Sequence, residues 1–174
     1  MSDSRLRLVA SSGLVIGAVL GMAGAFAPSA ASRGLAWGLD GTALVLACSL
    51  LTVHHVRRGN DLAAAGFLTF AVGEAVLLSG AAMDLDASAP VFAAGVALWA
   101  ASLAMVSSSK SMPSLVRGFG FVACLLFAAV ALQIFSGRAL TPLSRPLPFF
   151  AYPFLVATLF GWSWVHYRST TDVS

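Results

Sequence analysis

The sequence predicts an all-α, polytopic transmembrane helix bundle with six spans and both termini in the cytoplasm. Three observations carry that prediction: six long apolar runs, very little charge between them, and an alternating density of Arg and Lys in the turns. Of the 174 residues, 59% are hydrophobic and 10% charged, against roughly 25% charged in a soluble domain. A spanning helix needs about 20 mainly apolar residues, so six of them take up roughly 120 positions. Short loops and two small tails use the rest, which leaves a single membrane domain over residues 1–174.

The runs lie at approximately 8–27, 35–53, 62–83, 90–106, 118–136 and 149–165. No segment shows the apolar–polar alternation of a barrel strand, so helices are the way this chain satisfies its backbone in lipid. In the first run, Arg5 and Arg7 precede an apolar core, and Ala25 and Ala27 supply the small residues of a signal-peptide cleavage site. Cleavage there would leave Pro28 at the first mature position, where it is poorly tolerated, and the run is long enough to span. An uncleaved first helix is therefore expected. It carries Gly13, Gly17 and Gly21, a doubled GxxxG whose glycines share one face and form a groove for another helix.

The second run holds Asp40 in Trp37-Gly38-Leu39-Asp40, one to two turns below its outer end, and closes on His54 and His55 before Arg57 and Arg58. The third has Gly66, Gly73 and Gly80 at heptad spacing, a second narrow seam. It also has Glu74, about 13 residues and roughly 20 Å from the inner end. The fourth starts at Pro90 and is rich in alanine, from Ala93 to Ala104. The fifth contains Gln133 at a shallow depth resembling that of Asp40. A turn with Pro142, Pro146 and Pro148 then blocks helix and reads as a stiff connector. The sixth opens on Phe149, Phe150 and Tyr152 and ends near His166. Tyr152, Trp37, Trp162, Trp164 and Tyr167 are assigned to interfacial aromatic belts.

Orientation follows from the ten basic residues. Arg5, Arg7, Arg57, Arg58, Lys110, Arg117 and Arg168 fall on one side, and Arg33, Arg138 and Arg145 on the other. The richer side is cytoplasmic. The heavy use of Arg, Ala and Gly points to a bacterial chain, hence the bacterial cytoplasmic (inner) membrane as a multi-pass protein. The basic residues sit in turns and form no stripe along which a phosphate backbone could lie, so nucleic acid is not an expected partner. The lipid bilayer is the expected partner, with a second copy or another membrane protein able to meet the first-helix groove.

Residues that lipid makes costly are the functional candidates. A charged carboxyl at the depth of Glu74 costs at least ~2.5 kcal/mol, so it faces the bundle, is paired, or carries a proton. Glu74, Asp40 and Gln133 all lie in the outer half and are expected to line one outward-opening pocket, with Arg33, Arg138 and Arg145 near enough to pair with the acids. His54, His55 and His166 share the inner level and are weak candidates for a metal or haem, because no Cys, Asp or Glu spacing completes a site. Cys48 and Cys124 lie apart inside apolar runs and read as packing residues. No GxSxG, HExxH, Walker A or strand-bound GxGxxG is present, so an enzyme is not expected, nor is a cofactor. The function expected is transport or binding of a small solute or protons through the polar pocket. The alternative is a non-catalytic accessory or scaffold protein associating through the glycine groove of helix one.

Overall fold

The computed structural model describes residues 3–81 and 83–171. It is all-helical: α1 (Asp3–Ala25), α2 (Ala30–Arg57), α3 (Asp61–Ser79), α4 (Ala89–Ser108), α5 (Ser114–Phe135) and α6 (Tyr152–Thr171), the last preceded by a 3-10 turn at Phe149–Ala151. α2 and α4 run past their apolar windows at both ends, and the other helices at one end, because helix ends are set by caps, whereas the windows register only hydropathy. Asp3 occupies the first turn of α1, where the helix dipole favours a negative charge. Ser29 caps α2 with a reciprocal capping box: its hydroxyl accepts from the Ser32 amide, and the Ser32 hydroxyl answers the Ser29 amide. At the other end of α2, Gly59 takes φ +65° and turns the chain into α3. Asn60 then caps α3 by accepting from the Ala63 amide at 3.3 Å. The third helix stops at Ser79, four residues before the apolar run does, with its seam glycine Gly80 at the C-cap.

Among the described residues, five helices are long and apolar enough to cross a membrane; α6 is not one of them. Its composition explains this: Thr158, Ser163, His166, Tyr167 and Arg168 are interspersed with its apolar residues. Each helix packs on its chain neighbours, and α6 returns to α1, so the six form a closed ring. Two serines clasp the closure: the Ser11 hydroxyl donates to the Ser163 carbonyl at 3.2 Å, and the Ser163 hydroxyl to the Ser11 carbonyl at 3.0 Å. Such interhelical bonds hold helices where lipid offers no hydrophobic drive.

The glycine seams are filled from inside the chain. A Cβ at Gly13 would stand 2.9 Å from the Ala47 Cβ, one at Gly17 would strike the Leu44 side chain, and one at Gly21 would stand 2.7 Å from Asp40 Oδ2. The first-helix groove therefore holds α2. On the third helix, Gly73 faces the Gly95 carbonyl of α4, and Gly95 faces the Gly73 carbonyl, each at 3.1 Å from the Cβ position. These are close approaches of two backbones, tighter than a Cβ ordinarily makes.

Large aromatic rings fill the middle of the ring of helices: Phe67, Phe70, Phe127 and Trp162 are all fully buried. Trp162, expected in an interfacial belt, lies elsewhere. Because α6 continues to Thr171, that residue sits at mid-helix, and its ring lies at the centre of the core. Outside, Leu35, Leu115, Leu125, Leu132 and Phe135 are each more than 60% exposed. A surface of this kind suits lipid and would be an aggregation hazard in water.

Candidate functional site: an acidic cavity and a histidine cluster at opposite ends

A cavity of about 140 Å³ opens within the bundle at the end that carries the α1–α2, α3–α4 and α5–α6 connections. Asp40 from α2 and Glu74 from α3 both line it, together with Gly17 and Gly21 of α1, Trp99 of α4 and Tyr152 of α6. The helix geometry explains the meeting. Gly21 supplies the room in which Asp40 lies against α1, and Gly41 likewise takes in the Leu78 side chain, drawing α2 and α3 together. Glu74 follows Gly73, whose close approach to α4 sets the spacing of the wall bearing Trp99.

Glu74 is 97% buried, as its 3% exposure states, and its Oε1 has no hydrogen-bond partner; Asp40 Oδ1 and Trp99 Nε1 are likewise without one. Buried polar atoms left in this state are uncommon and costly, which marks the place for a ligand, a proton or water. The other polar groups of the wall are occupied. The Trp37 indole N–H donates to the Gly21 carbonyl at 3.2 Å, the Tyr152 hydroxyl to the Pro142 carbonyl at 3.1 Å, and the Ser88 hydroxyl to the Leu85 carbonyl at 2.9 Å. Pro142 itself lines the cavity, so the proline-rich connector between α5 and α6 covers part of it as well as joining the helices. Within that connector, Thr141 and Ser144 form a tight turn.

Two expectations need correction. Gln133 does not line this cavity. Its Oε1 accepts from Arg138 Nη1 at 2.7 Å, and its amide donates back to the Ala129 carbonyl at 3.2 Å, so its polar groups are used on α5 and its own C-terminal turn. Nor do the three arginines of that end pair with the acids, for among the described residues Asp40 and Glu74 have no ion-pair partner. Arg33 lies over the Trp37 ring at 5.9 Å and Arg145 over the Phe149 ring at 4.3 Å, cation–π placements at the rim.

The opposite end gathers His54, His55 and His166, all buried, with ring centroids 5.2 to 5.8 Å apart. His55 Nε2 stands 3.1 Å from His166 Nε2, and His166 Nδ1 stands 2.7 Å from the Trp162 carbonyl. A carbonyl only accepts, so Nδ1 of His166 carries its proton, and with a neutral ring its Nε2 accepts from His55 Nε2–H. His54 Nδ1 meets Asp3 Oδ1 at 2.9 Å, and Asp3 also faces Arg7 at 3.7 Å and Arg58 at 3.5 Å. No group of three His, Cys, Asp or Glu side chains among the described residues has the geometry to hold a metal ion. The histidines are thus used for one another, for Asp3 and for the backbone.

Between the two ends stands an aromatic column. His55 stacks on Phe67 at 5.3 Å, and Phe67 meets Trp162 edge-on at 4.9 Å. Trp162 meets Phe70 at 5.8 Å, and Phe70 stacks on Trp99 at 5.5 Å, at the cavity wall. This column separates the acids from the histidines. Sequence reasoning missed the roles of Trp99 and Tyr152 at the cavity and of Asp3 with Arg7. The Asp3–Arg7 spacing of four residues was the available signal for the second pair. Comparison with protein-family models, curated protein sequences and solved structures finds no match to this chain.

Proposed function

We propose that this chain is a bacterial inner-membrane protein that crosses the bilayer six times with both termini in the cytoplasm, and that it moves protons or a small solute through the cavity holding Glu74 and Asp40. The observation that carries this reading is the convergence of two carboxyl side chains from different helices on one cavity, one of them almost fully buried with a free oxygen. An intramembrane ionisable residue is expensive to maintain and marks a substrate or proton path by default. The distribution of Arg and Lys supports an outer position for the cavity end. Closure of the ring by α6, with Trp162 at its centre, supports a sixth crossing despite the polar residues of that helix.

In this account Glu74 takes up a proton from the outer side when the cavity is open. The aromatic column of Phe67, Phe70 and Trp162 keeps the inner end closed in this conformation. Movement of that column would expose Glu74 to the other side. The accessory reading is the weaker of the two, because the glycine groove on which it depended already holds α2.

The test is an imposed pH gradient across proteoliposomes carrying a trapped pH-sensitive dye. Wild-type protein is expected to dissipate the gradient faster than empty vesicles, and Glu74→Gln to fall to the empty-vesicle rate. Equal rates for wild type and Glu74→Gln would sink the reading.

A further inference from the structure

The polar atoms around the cavity define what is missing from it. Its hydrogen-bond donors are spent on backbone carbonyls: Trp37 on Gly21, Tyr152 on Pro142 and Ser88 on Leu85. The free atoms are mainly acid oxygens, Glu74 Oε1 and Asp40 Oδ1, with Trp99 Nε1 the one unspent donor. Among the described residues, no Lys, Arg or His lines the wall. The site therefore lacks a positive charge and, apart from the Trp99 indole, a free N–H or O–H donor. The rest of the lining is apolar and aromatic, including Leu44, Phe92 and Leu155. The volume of about 140 Å³ is close to that of an engineered apolar cavity known to take up benzene.

Resting on the reading of this cavity as a solute pocket, we propose that its ligand is a small primary ammonium bearing an apolar group of about benzene size. The ammonium sits between Glu74 and Asp40 and donates to both, and the apolar group lies among the Trp99, Phe92 and Leu155 side chains. An ammonium over an aromatic face is also favoured by the ring quadrupole. A quaternary ammonium of similar bulk carries the charge but has no N–H, so it would leave both acid oxygens unpaired. An inorganic cation would pair the acids and leave the apolar volume empty.

The test uses the full chain in nanodiscs of zwitterionic lipid, with empty nanodiscs as the blank. Benzylammonium, benzyltrimethylammonium, benzyl alcohol and benzoate are each titrated by calorimetry. Benzylammonium is expected to bind saturably, with the other three at least tenfold weaker. Glu74→Gln should weaken benzylammonium binding by about ten- to a hundredfold, the worth of one charged hydrogen bond. The wild-type ligand ranking stands independently of whether that variant folds. Equal binding of benzyltrimethylammonium, a ranking that follows hydrophobicity alone, or displacement of benzylammonium by equimolar sodium would overturn the proposal. Glu74-dependent proton flux without benzylammonium binding would overturn the ligand class and leave proton exchange standing. Benzylammonium binding without flux would uphold the ligand and overturn proton exchange.

Discussion

Replacing Glu74 by Leu should make this protein more stable while abolishing the proposed proton exchange. The side chain is 3% exposed and its Oε1 has no partner, so the fold holds a polar atom without compensation. An unsatisfied buried polar group costs about 1–3 kcal/mol. Leucine has nearly the same reach, and the adjoining cavity of about 140 Å³ takes up its branched end without overpacking. Removing the orphan oxygen should therefore return about 1–3 kcal/mol, with a smaller contribution from new contacts to Leu77 and Leu78. For a chain of this length each kcal/mol raises Tm by about 2–4 °C. The assay is thermal unfolding in one mild detergent, followed by tryptophan fluorescence, with Glu74→Gln alongside. Gln keeps a polar group in place and should change Tm little. A fall in Tm for Glu74→Leu would show that the carboxyl is a structural hydrogen-bonding group, and would refute the reasoning that it is kept for exchange at a cost in stability.

Other perturbations probe the frame that holds the cavity. Gly73→Ala puts a methyl 3.1 Å from the Gly95 carbonyl, the Leu98 Cβ and the Trp99 ring. It should cost about 1–3 kcal/mol in thermal unfolding. Gly38→Ala meets nothing within 4 Å and should stabilise by up to about 1 kcal/mol through helix propensity; equal effects at the two sites would refute the seam. Trp162→Ala empties the centre of the ring and should destabilise by about 3–5 kcal/mol, and a loss under about 1 kcal/mol would place that ring at the lipid interface instead. Ser11→Ala and Ser163→Ala each remove one hydroxyl-to-carbonyl bond between α1 and α6 and should each cost about 0.6 kcal/mol, up to about 1.7, while no loss for either would deny the clasp.

Much of the frame was legible in the sequence because a bilayer restricts the options so strongly. Apolar runs long enough to span must be helices, and α1 to α5 follow from that constraint. The ends were less legible, since Ser29, Gly59 and Asn60 act through caps and turns that hydropathy does not register. The depth of Glu74 and Asp40 was readable from position along each helix, and both line the cavity. Gln133 was not, because depth says nothing of the side chain's direction or of a partner such as Arg138, supplied by the turn after α5. The glycines of α1 announced a close contact without naming the partner, which proves to be α2 of the same chain. The meeting of His54 and His55 with His166 depends on the ring closing α6 onto α1, a long-range fact that no local pattern encodes.

The account turns on Glu74 gaining and losing a proton inside the bundle. Infrared difference spectroscopy of the protein in nanodiscs, recorded as pH is stepped, reads that event directly. The account predicts a protonated-carboxyl carbonyl band that titrates in the wild type, shifts on exchange into heavy water and is missing from Glu74→Gln. Spectra of wild type and Glu74→Gln that coincide at every pH would contradict it, since Glu74 would then never change its protonation state.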